Sequence, residues 1–277
     1  MKFYYQILVL LITILFFVSC KDKEGQQKLA DIRLKHIEQL ILQNSFNQAK
    51  IQIDSIHLLF PRLVKKRAVA QAYADTIARR ENARTLSYCD SLLVMKEKEK
   101  AELQKNFRFE KDKKYQEIGS YVYKSQTTEN NATRTYLKAY VDEKADYYLV
   151  SNYCGNSKLE HISVKVSVDD LFSQTDTIPV SHAFNHSYID GAVHWESITF
   201  KNEAEKGVSA FIAQYEAKQI KVNLIGRRSC QYILSSFDKK AISQAYQLWV
   251  VMKDVDKLKA EIKKAHSKIS RIKSVKE

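Results

Sequence analysis

The chain has 277 residues, 45% of them apolar, a formal net charge of +13, and only 6 glycines and 2 prolines. That length and apolar content allow one or two domains with a real core, and the scarcity of Gly and Pro argues against a loop-rich all-β protein and for long helices. The basic excess suits acidic partners, yet much of it is interleaved with acids, as in Lys96-Glu97-Lys98-Glu99-Lys100, the texture of a solvated helix face; no nucleic-acid motif is present.

Lys2 precedes an almost wholly apolar run from Ile7 to Val18, followed by Ser19, Cys20 and the charged stretch Lys21-Asp22-Lys23-Glu24. A basic start, an apolar core and a small residue before a cut site make a secretory signal. The run is shorter than the roughly 20 residues a membrane-spanning helix needs. Phe17-Val18-Ser19-Cys20 resembles the bacterial lipobox. The resemblance implies cleavage before Cys20 and acylation of that cysteine, which would tether residues 20–27 to a bilayer. Several acyl chains anchor stably, because each buried methylene adds about 0.8 kcal/mol.

Leu29, Ile32, His36, Ile37, Leu40 and Ile41 recur at helical spacing, Gln43-Asn44-Ser45-Phe46 reads as a turn, and Ala49, Ile53, Ile56 and Phe60 mark a second helix stopped by Pro61. The second of these segments resembles half of a tetratricopeptide repeat, but a single unit cannot bury its own face, so the reading is a helical hairpin. Residues 62–114 lack Gly and Pro and are rich in helix formers. They are expected to form one or two long helices, with Leu86, Leu93 and Phe107 on an imperfect seam.

Near Tyr115 the texture changes to Tyr, Val, Thr and Ile. Expected strands are Ile118–Tyr123, Thr135–Val141, Tyr147–Tyr153, Ile162–Val168, His194–Phe200, Ile220–Ile225 and Gln231–Ser235, with turns at Gly155-Asn156, Asp190-Gly191 and Lys206-Gly207 and a short helix within 209–218. The last segment steps by threes and fours through Leu248, Val251, Val255, Leu258, Ile262, Ala265, Ile269 and Ile272. That is a heptad seam. It must pack on the 62–114 helix, on a second copy, or on another protein.

Candidate chemistry is sparse. No nucleophile elbow, phosphate-cradling loop or cofactor motif is present, and no cofactor is expected. His182 and His186, with His194 and Glu196 nearby, would share a face only on a helix, and the segment reads as loop; surface or strand-end histidines are the expectation, not a metal site. Asp169-Asp170 and Glu203/Glu205 read as loop acids. Cys154 and Cys230 both fall in the β-rich region and are the pair to test for a disulfide, with unbonded thiols as the alternative. Tyr136, Tyr140, Tyr147, Tyr148, Tyr153, Tyr188 and Trp195 cluster there too, as ordinary strand composition or as a glycan- or peptide-binding face. Asp54-Ser55-Ile56, Asp75-Thr76-Ile77, Asp90-Ser91-Leu92 and Asp176-Thr177-Ile178 look like the O-glycosylation signal of exported Bacteroidota proteins. Thr177 is the most loop-like acceptor.

With Val18-Ser19-Cys20, the helical segment ending at Phe60-Pro61 and the Trp195-Glu196-Ser197-Ile198-Thr199-Phe200 strand, the chain resembles cell-envelope lipoproteins of the Bacteroidota type. The resemblance implies an outer-membrane, lipid-anchored location, on a face left open, and no activity. The expected fold is α+β: residues 1–19 a signal peptide, 20–27 a lipidated tether, 28–114 a helical hairpin and long helix, 115–236 a β-rich head, and 237–277 a C-terminal coiled-coil helix completing a stalk. The expected function is a non-enzymatic binding or structural module. Its partners would be a lipid bilayer, through acylated Cys20, and a protein, peptide or glycan, with self-association through the heptad helix left open. The alternatives are an accessory subunit docking through that helix and an envelope hydrolase.

Overall fold

The computed structural model describes residues 23–112, 114, 116–127, 131 and 133–274. The expected signal peptide and the lipid-attachment Cys20 lie outside the described residues. The fold is α+β, and the chain divides into two units, residues 1–90 with 260–277 and residues 91–259. The β-rich unit is therefore wider than the 115–236 read from the sequence.

In the first unit, α1 covers residues 23–42, so the stretch from 23 to 27 expected as tether is helix. Asn44, at φ 59°, ends α1. The Ser45 N–H bonds the Leu40 carbonyl and the Asn44 N–H bonds the Ile41 carbonyl, a Schellman closure with Asn in the left-handed position that glycine usually takes. Then come α2 (Phe46–Leu59) and the start of α3 (Val64–Gln104). Ala30, Leu34, Ile37, Phe46, Ala49, Ile53, Ile56, Phe60, Ala70 and Ile77 form their core. Arg80 Nη1 donates a second bond to the Ile41 carbonyl at 3.1 Å, and Arg84 lies 4.8 Å over the Phe46 ring.

Among the described residues the second unit holds ten strands. β1 (Phe107–Glu110), β2 (Ser120–Tyr123), β3 (Tyr136–Asp142), β4 (Tyr147–Gly155), β7 (Asn185–Asp190) and β8 (Val193–Lys201) make a six-stranded sheet in the order β1-β2-β3-β4-β8-β7; β5 (His161–Val168), β6 (Leu171–Gln174), β9 (Lys221–Gly226) and β10 (Cys230–Ile233) make a four-stranded sheet in the order β10-β9-β5-β6. All pairings are antiparallel. Phe107 belongs to β1 and not to a helical seam. It alternates with Arg108 and Phe109, a strand period that the neighbouring helix formers hide.

The register puts Leu137, Ala139, Val141, Tyr147, Leu149, Ser151, Ile198 and Phe200 on one face of the six-stranded sheet. That face shares a core with Val164, Val166, Val222 and Leu224 of the other sheet, with Val208 and Ile212 of α4 (Val208–Gln214), and with Ile242, Ala245, Leu248 and Met252 of α5 (Ser236–Ser274). Each fully buried aliphatic or aromatic side chain contributes about 1.5–3 kcal/mol.

Along α5, Leu248, Val251, Val255 and Ala265 are buried, Leu258, Ile262, Ile269 and Ile272 half-buried, and Lys253, Lys257, Lys259, Lys263, Lys264 and Lys268 exposed. The chain therefore buries half of this stripe itself and covers the other half in part. Within the second unit, Lys96–Asp254 (3.1 Å) and Lys259–Glu97 (2.7 Å) join α5 to α3. Among the described residues no helix is long and apolar enough to cross a membrane.

Candidate functional site

The β4–β8 pair presents two different chemistries on its two faces. Facing the core, Glu196 and Ser151 sit among apolar neighbours with His161 of β5. His161 Nδ1 and Glu196 Oε2 are 2.6 Å apart, and His161 Nε2 and Ser151 Oγ are 3.1 Å apart. Exposures are 0% for Ser151 and His161 and 4% for Glu196. The Glu196 carboxylate also accepts three backbone N–H groups: Leu159 (2.7 Å) and Glu160 (2.8 Å) on Oε1, His161 (3.0 Å) on Oε2. Glu160, at φ 50°, turns these successive amides toward one point, the form of an anion nest. Burial opposes ionisation of Glu196, but the bonds from the His161 ring and from the His161 and Glu160 amides outweigh it and bring the carboxyl down to about 2.

The atom order Ser–His–Glu matches that of a hydrolase relay. The surroundings differ from those of such a relay: Ser151 is fully buried in the middle of a central strand, and its Oγ is closed off from solvent. What the arrangement does is satisfy a buried carboxylate and fix β5 against β8, as a buried charge requires.

On the opposite face lies a cleft of about 250 Å³ lined by Asn131, Arg134, Tyr136, Asn152, Tyr153, Tyr188, Trp195, Glu196 and Ser197. Tyr136, Asn152 and Ser197 fall side by side across β3, β4 and β8, with Trp195 one step along on the same face and Tyr188 opposite it on β7. The Tyr188 and Trp195 rings stack with centroids 5.8 Å apart and planes 5° from parallel. The Arg134 guanidinium lies 4.4 Å over the Tyr136 ring. Its charge is answered elsewhere: Nη1 and Nη2 fork onto buried Asp238 at 2.6 Å each, and Nε donates to Asn131 Oδ1 at 2.8 Å. Ser197 Oγ donates to Asn152 Oδ1 at 3.0 Å, so the Asn152 amide N–H groups are not used in this bond. The cleft is thus aromatic, with neutral polar groups and neutralised charges. Further along the same face Tyr140 and Tyr148 stack at 4.6 Å. Burial is the main reason the Tyr140 phenol rises to about 12.

Asp238 draws these parts together. Ser235 Oγ accepts the Asp238 N–H at 3.1 Å at the start of α5, a capping arrangement. The Asp238 carboxylate takes bonds from Ser235, Arg134 and Gln126.

Other residues singled out from the sequence fall as follows. His182 lies in a turn with Nδ1 accepting the Phe184 N–H, and His186 is on β7, so no helix aligns them. Among the described residues no group of three or more His, Cys, Asp or Glu side chains is placed to hold a metal. Asp169-Asp170 is the exposed two-residue turn between β5 and β6, with Asp169 at φ 51°. Glu205 is buried and accepts the Gly207 and Ser209 amides at the start of α4; it and Glu203 line a cavity of about 460 Å³ with Lys206, Trp249 and Lys253.

Cys89, Cys154 and Cys230 are free thiols. Cys154 lies on β4 and Cys230 on β10, in different sheets, and no disulfide joins this candidate pair, in line with the unbonded alternative. Thr177 is exposed in extended chain between β6 and β7; of the three other acceptors, all in helices, Ser55 donates back to the Ile51 carbonyl and Thr76 to the Ala72 carbonyl. Sequence reasoning missed His161 and Ser151 on the inner face and Arg134, Asn152 and Asp238 around the cleft. Comparison with family models, with curated proteins and with solved structures gave no match to this chain.

Proposed function

We propose that this chain is a non-enzymatic binding module of the bacterial cell envelope, held to a membrane through acylated Cys20, and that it binds a neutral glycan in the Tyr188–Trp195 cleft. The cleft carries the reading. Flat aromatic faces offer apolar area to the C–H face of a sugar ring, while Asn152 and Ser197 are placed for its hydroxyls, the pattern of an apolar site with a few oriented polar groups. The Arg134 and Glu196 charges are engaged within the protein, so an uncharged ligand loses nothing for want of a counter-ion. The volume, near the low end of the roughly 300–1,000 Å³ of small-molecule pockets, suits a single ring of a longer chain. Burial of Leu248, Val251 and Val255 within the chain weighs against docking of a partner subunit on that part of α5.

The test uses the full chain in detergent micelles and a panel of neutral oligosaccharides, read by tryptophan fluorescence and equilibrium binding. Saturable binding that is lost in Trp195→Ala and kept in Trp249→Phe supports the reading. Absence of binding across the panel, or binding undiminished in Trp195→Ala, overturns it. Metabolic labelling with palmitate, abolished in Cys20→Ala, tests the anchor.

A further inference from the structure

Three of the four edge strands, β1, β6 and β10, are four residues long. The fourth, β7, has six, five of them exposed. Asn185–Asp190 contains no Lys, Arg, Glu or Pro. Protein edges are ordinarily blunted by shortness, lysine or proline, because their free N–H and C=O groups template another strand. β7 carries none of these devices, and it exposes Tyr188 at 61% and Ile189 at 63%.

We propose that β7 is a self-association edge, pairing antiparallel with β7 of a second copy of this chain across a twofold axis at Tyr188. The Thr199 N–H bonds the Phe184 carbonyl at 2.9 Å, so that pair is hydrogen-bonded across β7–β8. Stepping by two, His186, Tyr188 and Asp190 also bond toward β8, and Ser187 and Ile189 turn their N–H and C=O groups off the edge. In the register centred on Tyr188, Ser187 of one copy exchanges bonds with Ile189 of the other. Tyr188 then meets Tyr188, and His186 meets Asp190 twice by symmetry, a complementary pairing of base and acid. A register centred on Ser187 sets His186 against Tyr188 and Asp190 against Phe184, which offers it no base. The pairing joins two six-stranded sheets and brings both Trp195 faces to the same side. It buries less than the roughly 1,200–2,000 Å² of a stable interface, so the dimer is weak and calls for covalent trapping.

The experiment is disulfide trapping of the full chain in detergent micelles under mild oxidation, followed by non-reducing electrophoresis. Residues paired as Tyr188 is here stand about 4.5 Å apart at Cα, within the roughly 4.4–6.8 Å a disulfide spans. Tyr188→Cys is expected to give a band at twice the mass of one chain, in excess of any from the native cysteines. Ser187→Cys, which faces Ile189 and not itself, is expected to give no such excess. Ile189→Pro added to Tyr188→Cys removes an N–H aimed at the second copy, and is expected to abolish trapping with the thermal melt retained. Trapping by Tyr188→Cys no greater than wild type, stronger trapping by Ser187→Cys, or a dimer that persists with Ile189→Pro overturns the proposal. No sugar enters this measurement, so its outcome is separate from that of the cleft.

Discussion

Trp195 and Glu196 are consecutive residues of β8, and the pleat sends them to opposite faces of the same sheet. Glu196 is taken out of water and answered by the His161 ring and three amides. Trp195 stays half-exposed against Tyr188 beside a cleft. The Glu196 carboxylate is answered from within the protein and the Trp195 indole is left beside open space, which separates a side chain that maintains the fold from one free to meet a ligand.

Substitutions sharpen that contrast. The largest effect is expected from Glu196→Ala, which strands the nest amides and His161 in a dry interior; such losses cost about 3–5 kcal/mol, read from denaturant unfolding. The same pair sets a pH dependence. The folded carboxyl titrates near 2, below its unfolded value, so its stabilisation is complete above the unfolded pKa and disappears as pH falls toward 2. Unfolding followed from pH 6 to pH 2 is expected to show that loss in wild type and a smaller one in Glu196→Gln.

Next is Asp238→Ala, which leaves Gln126 and Arg134 without their acceptor and is expected to cost about 2–4 kcal/mol. Gly226→Ala follows. A Cβ there would stand 2.3 Å from the Glu160 carbonyl oxygen and 2.4 Å from the His161 Cα, an overpacking worth about 1–3 kcal/mol. Smallest in stability is Trp195→Ala, at about 1 kcal/mol or less for a half-exposed side chain, with ligand binding lost. A Trp195→Ala cost equal to that of Glu196→Ala would break the contrast between the faces.

The helical hairpin, its turn at Asn44, the α4 helix and seven of the strands were legible because period and turn chemistry survive in the sequence around them. β1 was hidden by the helix formers that precede it, β6 by its shortness, and β7 by its loop-like composition. His161 was hidden for a subtler reason. Val164, Val166 and Val168 face inward, and strict alternation carried back from them puts Ile162 inside and His161 out. The register shift between His161 and Ser163 reverses that parity, and Gly226 opposite leaves room for it. The cleft aromatics were visible as a cluster; their common face became visible only once β3, β4, β8 and β7 were in register.

The cap of α5 carries a consequence for the route to the native state. Asp238 ends a local motif with Ser235, yet its carboxylate is completed by Arg134 and Gln126, 104 and 112 residues earlier in the chain. Closing a loop of that length is slow relative to forming a helical turn. The first turn of α5 is therefore expected to gain amide-exchange protection late in refolding, together with β3 and after the local hairpins β5–β6 and β7–β8.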